Sequence, residues 1–256
     1  MTLALLAENV SFHYNGDFTL KSASLRVEKG TFAAIAGPSG SGKTTLLKIL
    51  AGFLRPETGH VSVDGQRLSS MSRRRMAEMC AFLPPEMETA YDYTVMEIAL
   101  MGRFARLKWW QDYTLADRQE AERVVTMLGL GPLAGRSVNS LSSGEKQKAF
   151  IAQCVCQRPS VLLLDEPTAH LDPASQASLM ETLKELRSRE GISVIAVSHD
   201  INLMARAADS ICFMREGTLS GGGSPAEEIT PDKVSSIYGK KASVGPGPDG
   251  HPCAFF

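Results

Sequence analysis

The chain has 256 residues, with 27 Lys and Arg against 28 Asp and Glu, a net charge of −1 and a pI near 6.5. That balance excludes a globally basic surface of the kind that holds nucleic acid, and a hydrophobic fraction of 43% suffices for the core of one large α/β domain or two small ones. The longest apolar runs fall far short of the roughly 20 residues that span a bilayer, and MTLALLAENV lacks the basic start of a signal peptide, so a chain soluble by itself is expected.

Residues 3–30 alternate apolar and polar with breaks at Asn15-Gly16 and Glu28-Lys29-Gly30, which predicts two or three antiparallel strands. TFAAIA (31–36) reads as a buried strand and is followed by GPSGSGKTT (37–45) and a helix over 43–51. HVSVDGQ (60–66) predicts a hairpin-like segment ending in Asp64-Gly65. A polar helix and the short strand CAFL fill 67–84, and the basic cluster Arg73, Arg74, Arg75 is expected on a solvated helix face. Residues 95–158 read as mostly helical, with Thr94 and Glu97 spaced as a capping box and Trp109 and Trp110 expected to pack inside.

From VLLLD (161–165) onward, strand and helix alternate as in a parallel sheet. A helix over 173–190, ISVIAVS (192–198), a helix over 200–208 and SICFM (210–214) follow, then a turn at Arg215-Glu216-Gly217 into 218–220. The last stretch, 242–256, is rich in Gly and Pro and is expected to be a loose tail. Five cysteines (80, 154, 156, 212, 253), odd in number and without a C-x-x-C pair, are expected as reduced thiols.

Three places carry chemistry. Gly37, Gly42, Lys43 and Thr44 fit G-x-x-x-x-G-K-[ST] between a predicted strand and a predicted helix. Such a loop curls so that its N–H groups and the helix N-terminus face phosphate oxygens, with the lysine reaching the β- and γ-phosphates and the threonine hydroxyl placed for Mg²⁺. Asp165 closes an apolar strand, where a carboxylate holds Mg²⁺ through water, and Glu166 beside it is placed to orient and deprotonate an attacking water. In LSSGEKQ (141–147), Ser142, Ser143 and Gly144 open a helix predicted over 145–157, so free N–H groups and a hydroxyl face outward. Plain N-capping with Glu145 early in the helix uses the same donors, so the two readings are compatible. Gly37, Asp165 and His199 each follow a predicted central strand, and in open α/β sheets such positions converge on one crevice.

At these residues the chain resembles, over roughly 3–240, the nucleotide-binding subunit of ATP-binding-cassette (ABC) transporters. LSSGE (141–145) is similar to that family's signature motif, DEPTAHLD (165–172) to its Walker B and D-loop, and SHD (198–200) to its switch histidine. The resemblance implies a P-loop NTPase fold, a RecA-like α/β core of mostly parallel sheet with an antiparallel β flank. It implies one domain over 1–240, with a helical subdomain at about 88–158 inserted in the core and 241–256 as a flexible tail. The implied cofactors are ATP and Mg²⁺. ATP would be held by Tyr14 stacked on adenine and by Gly37, Pro38, Ser39, Gly40, Ser41, Gly42, Lys43, Thr44 and Thr45, and the metal by Thr44 and Asp165. Glu166 and His199 would be catalytic. Leu141, Ser142, Ser143, Gly144 and Glu145 would meet the γ-phosphate bound by a second copy in a head-to-tail dimer, with Asp172 in the D-loop.

Two departures stand out. Pro85 occupies the place where the family has a glutamine that helps ligate Mg²⁺, and proline offers neither donor nor acceptor. Glu86 or a water is expected to cover that position, with slow turnover. Ser143 replaces the first signature glycine and is expected to be tolerated. YDYTVMEIALMGR (91–103) resembles importers of metal chelates such as ferric siderophores, haem and cobalamin. The implied function is an ATPase energising such an importer through membrane permease subunits and a substrate-binding protein, at the cytoplasmic face of the inner membrane, with no nucleic acid involved. The alternatives are an exporter ATPase and a soluble ABC ATPase outside transport.

Overall fold

In the computed structural model, residues 2–14, 19–108, 110–247 and 249–256 are described. The chain opens with β1 (Leu3–His13), β2 (Thr19–Glu28) and β3 (Phe32–Ala36) and enters helix α1 (Lys43–Leu50). A hairpin of β4 (Thr58–Val63) and β5 (Gln66–Arg67) leads to α2 (Arg73–Met79) and β6 (Cys80–Leu83). Three helices follow: α3 (Val95–Met101), α4 (Leu115–Met127) and α5 (Ser143–Cys156). Strand and helix then alternate through β7 (Val161–Asp165), α6 (Pro173–Glu190), β8 (Ser193–Ser198), α7 (Ile201–Ala207) and β9 (Ser210–Arg215), with β10 (Thr218–Gly221) turning back. Two short helices, α8 (Pro225–Glu228) and α9 (Pro231–Tyr238), and the strands β11 (Ser243–Pro246) and β12 (Pro252–Phe255) complete the described order.

The central sheet runs β10-β9-β3-β8-β7-β6, with β9, β3, β8, β7 and β6 parallel and β10 antiparallel to β9. Its central strands β3, β7 and β8 are buried along their whole length, as a sheet covered on both sides requires, while the edge strand β10 is mostly exposed. Leu162 and Leu164 of β7 join the core under α3 to α7, while Val161 and Leu163 join the core with α1 and the antiparallel sheet β2-β1-β4-β5. In the parallel register Ala36 pairs with Ser198, Asp165 with Val197 and Leu83 with Leu164. The carboxyl ends of β3, β8, β7 and β6 are therefore level with one another.

Thr94 caps α3 in a capping box with Glu97, as its spacing predicts. Ser142 does the same for α5 with Glu145, so α5 begins at Ser143 rather than at the expected 145. Arg73, Arg74 and Arg75 are exposed on α2, as expected. Among the described cysteines, Cys80, Cys154, Cys156 and Cys212 are buried and free, and Cys253 is half-buried and free.

Two expectations are corrected. Trp110 does not pack inside: it is 65% exposed, with the Lys108 ammonium 5.4 Å from its ring. The described residues of 241–256 do not form a loose tail. β11 and β12 pair as a hairpin, and Asn202 of α7 bonds both backbone groups of Ala254, which is buried. A sequence rich in Gly and Pro lacks apolar periodicity, yet a short hairpin is stable once a packed helix supplies its missing partner. The break expected at Asn15-Gly16 and the packing expected of Trp109 lie outside the described residues.

Candidate functional site

The site assembles at the level ends of β3, β7 and β8. Gly37 leaves β3 so close to β9 that a methyl group on it would lie 2.1 Å from the Met214 carbonyl oxygen. The loop then runs through Pro38, Ser39, Gly40 and Ser41 to Gly42, which stands at the N-cap of α1 in the left-handed region (φ 107°). Gly42 has no side chain to cap α1, so the first N–H groups of the helix are left for an anion.

Lys43 is buried, and its Nζ donates to the carbonyl oxygens of Gly37 (2.9 Å) and Pro38 (3.0 Å), with a Glu166 oxygen 3.9 Å away. Burial holds its pKa below the usual lysine value, against the pull of Glu166 and Asp165. Thr44 Oγ1 donates to Asp165 Oδ1 at 3.0 Å. Asp165 is buried, and burial raises its pKa although the Thr44 bond opposes this. Its other oxygen, Oδ2, is buried without a hydrogen-bond partner. A bare carboxylate oxygen in that position is costly alone and suits a cation or its water.

Glu166 adopts a left-handed conformation (φ 47°), uncommon for a residue with a side chain. Its N–H donates to Val197 O at 3.0 Å, which ties the turn after β7 to β8. One carboxylate oxygen accepts from the His199 N–H at 3.3 Å and lies 3.0 Å from His199 Nδ1. The convergence expected of Gly37, Asp165 and His199 is thus realised, because parallel register brings three strand ends together.

Tyr14, stacked edge-on against Phe12 at 4.9 Å, faces the loop across a cleft of about 420 Å³. Ser39, Gly40, Gly42, Lys43, Thr44, Thr45 and Glu166 line the rest. Ser41 is turned into the protein, its hydroxyl buried and without a partner. Leu141, Ser142, Ser143, Gly144 and Glu145 do not line this cleft; Ser142 and Ser143 are exposed elsewhere on the surface. Asp172 is also exposed and caps α6, accepting from the N–H groups of Ala174 and Ser175 and from the Ser175 hydroxyl. Gly144 lies against that serine: a methyl group on it would meet Ser175 Oγ at 3.0 Å. Pro85 and Glu86 leave β6 exposed. Sequence reasoning missed Tyr238, whose hydroxyl donates to His199 O at 3.3 Å, since nothing near it in sequence marks a role.

The family model described as ABC transporter matches residues 20–169, more than half of the chain. The chain belongs to the ABC transporter family. The family resemblance read from the sequence motifs is borne out at that level. Among relatives, the ABC transporter ATP-binding protein YvrA of Bacillus subtilis strain 168 is 34% identical over 91% of this chain. The chain spans about half of YvrA's length, 53%. The ferric enterobactin transport ATP-binding protein FepC of Escherichia coli K12 is 32% identical over 94% of this chain and 89% of its own. Among solved structures, a chain of an ABC transporter described as metal-chelate type, in an inward-facing conformation, superposes with a TM-score of 0.87 at 25% identity, covering 99% of this ABC chain and 98% of that one. Among the described residues, no helix is long and apolar enough to cross a membrane.

Proposed function

We propose that this ABC protein hydrolyses Mg-ATP to drive import of a metal chelate, such as a ferric siderophore, haem or cobalamin, through a separate membrane permease. The observation that carries the hydrolytic part is the arrangement of Glu166, held by His199, beside Lys43 and the Thr44–Asp165 pair. The similarity to FepC and to the metal-chelate type transporter supports the cargo class.

In this reading Tyr14 stacks on adenine, and the loop from Gly37 to Thr45 wraps the phosphates. Lys43 exchanges its bonds to Gly37 and Pro38 for the β- and γ-phosphates, where a desolvated ammonium acts most strongly. The unpartnered Asp165 Oδ2 and the neighbouring Thr44 hydroxyl fit Mg²⁺ and would hold it directly or through water. Bound there, the ion supplies charge neutralisation on the phosphates. Glu166 orients the attacking water and takes its proton, and His199 fixes the carboxylate that does so. Glu166, in its left-handed turn, is among the residues lining the cleft.

The exposed Ser142 and Ser143 and the half-buried Gly144, with Leu141 and Glu145, complete the site of a second copy head to tail, and Asp172 holds the neighbouring turn. The capping box that spends the Ser142 hydroxyl within the chain still leaves N–H groups at the start of α5 for a phosphate. Residues 88–158 act as a helical subdomain within a single ABC domain. The permease, together with a substrate-binding protein, recruits this chain to the cytoplasmic face of the membrane.

Two measurements test the reading. Glu166→Gln should abolish hydrolysis, a fall of about 10²–10⁴, while nucleotide binding persists; hydrolysis at the wild-type rate would refute the role of Glu166. Tagged protein purified from gently solubilised native membranes should carry a polytopic permease and a binding protein. A permease alone would point to export, and recovery with ribosomes or DNA would refute transport.

A further inference from the structure

His199 stands on the short connection between β8 and α7, with its side chain 63% exposed. An exposed ring on a loop is a poor positioner unless its backbone is held on both sides. Its N–H is held by Glu166, and its carbonyl oxygen accepts from the Tyr238 hydroxyl at 3.3 Å. Tyr238 is the last residue of α9, which Gly239 ends in the left-handed conformation (φ 69°). Burial, with Asp200 and Glu166 close by, holds its phenol well above the usual value, so the hydroxyl keeps its proton and donates.

The C-terminal hairpin braces this contact. The Phe256 ring packs edge-on against Tyr238 with centroids 5.2 Å apart. The Asn202 side-chain amide donates to Ala254 O at 3.0 Å and accepts from Ala254 N at 2.8 Å, as a neighbouring strand would. Arg206 pairs with Asp249 in the hairpin turn. Asn202 and Arg206 are four apart, so the hairpin grips one face of α7 along a full turn. That helix begins immediately after His199-Asp200. Hairpin, Tyr238 and α7 thus form one connected brace around the histidine.

We propose that Tyr238, braced by the C-terminal hairpin, is a positioning residue that holds His199 against Glu166 for ATP hydrolysis; this rests on the roles proposed for Glu166 and His199. The hydroxyl reaches the backbone rather than the ring, so it sets where the imidazole starts and leaves the proton transfer to Glu166. Neither Tyr238 nor Phe256 lines the cleft itself; Tyr238 lines the adjoining cavity with Ser39 and Gly40, so a change that keeps its ring and removes only the hydroxyl should leave nucleotide affinity in place.

The test is steady-state ATP hydrolysis by the full chain, with kcat and KM read separately. Tyr238→Phe should lower kcat by about 3–10-fold, the loss of one hydrogen bond, and leave KM for ATP unchanged. Phe256→Ala, an exposed ring whose removal opens no core cavity, should lower kcat in the same direction with an unchanged KM. In a His199→Ala background Tyr238→Phe should cause a clearly smaller loss, because the backbone contacts of residue 199 remain but the imidazole they place against Glu166 is gone. Unchanged kcat in Tyr238→Phe, or a loss of full size in the His199→Ala background, would overturn the positioning role. Glu166→Gln, run in parallel, separates the two readings. If it stops hydrolysis while Tyr238→Phe does nothing, only the positioning role falls. If it hydrolyses like wild type, the reading of the site falls and takes this role with it.

Discussion

Thr44 and Asp165 are 121 residues apart in sequence, yet the threonine hydroxyl donates to one carboxylate oxygen at 3.0 Å while the other oxygen is buried with no partner. The pair spans the start of α1 and the end of β7, so it registers the phosphate loop against the sheet. Replacing Thr44 with Val keeps the shape and removes the donor. We expect Thr44→Val to lower Mg-dependent hydrolysis by about 10–100-fold, the usual range for a lost metal-site partner. Nucleotide binding measured in EDTA should change little, and an equal loss there would assign Thr44 to the nucleotide alone.

Gly37 is required for packing whatever the loop binds. A β-carbon 2.1 Å from the Met214 carbonyl forces the loop away from β9, and the obstacle is backbone that cannot swing aside. Gly37→Ala should lose about 3 kcal/mol of stability in urea unfolding, at the upper end for overpacking, and ATP affinity with it. A variant of wild-type stability would show that the strand yields.

Glu120 is buried on α4 and bonds Arg158 through both oxygens, and Arg123 as well; Arg123 also reaches Glu190 at the end of α6. The bonds from Arg158 lead in holding its pKa well below the ordinary 4.5, at about 2. A depressed carboxyl pKa contributes stability that is complete above 4.5 and disappears as pH falls toward 2. Glu120→Gln should therefore be less stable at pH 7 by roughly 2–3 kcal/mol. The gap to wild type should narrow steadily when urea unfolding is repeated down to pH 3. A gap that stays constant with pH would mean that shape, not charge, is what Glu120 contributes.

Pro85 follows β6, the strand beside β7, on the surface and has no polar side chain to offer. Pro85→Gln would supply the side chain that the family resemblance places there as a metal-site partner. We expect kcat for ATP to rise by about 3–10-fold, the worth of one hydrogen bond; a rate no higher than wild type would show that Glu86 or water already serves.

Cys80, Cys154, Cys156 and Cys212 are buried, and burial pushes each thiol up to about 12. The thiolate is the reactive form, so these four should resist a thiol reagent at pH 8. Only half-buried Cys253, on β12, should react quickly in native protein, and all five in urea. Fast reaction of a second native thiol would reveal local opening.

By itself, the sequence determined what short-range physics controls. A glycine-rich turn between an apolar run and a helix reads as a backbone cradle at 37–45. Ser142 with Glu145, and Thr94 with Glu97, announce helix starts because capping is a three-residue interaction. Strand identities at 32–36, 161–165 and 193–198 were legible because doubly buried strands are continuous apolar runs. Tertiary structure alone decided which strands are neighbours, and with what register. Nothing near β6 says that it lies beside β7, some 80 residues on, nor that β8 inserts between β7 and β3. Those pairings turn three separate residues, Lys43, Glu166 and His199, into one site. The same holds where the reading of the sequence failed. Trp110 is exposed, and the strands β11 and β12 are held because Asn202, 52 residues before Ala254, gives that residue's backbone a partner. A side chain's partners across the fold depend on long-range register, which no local pattern of residues encodes.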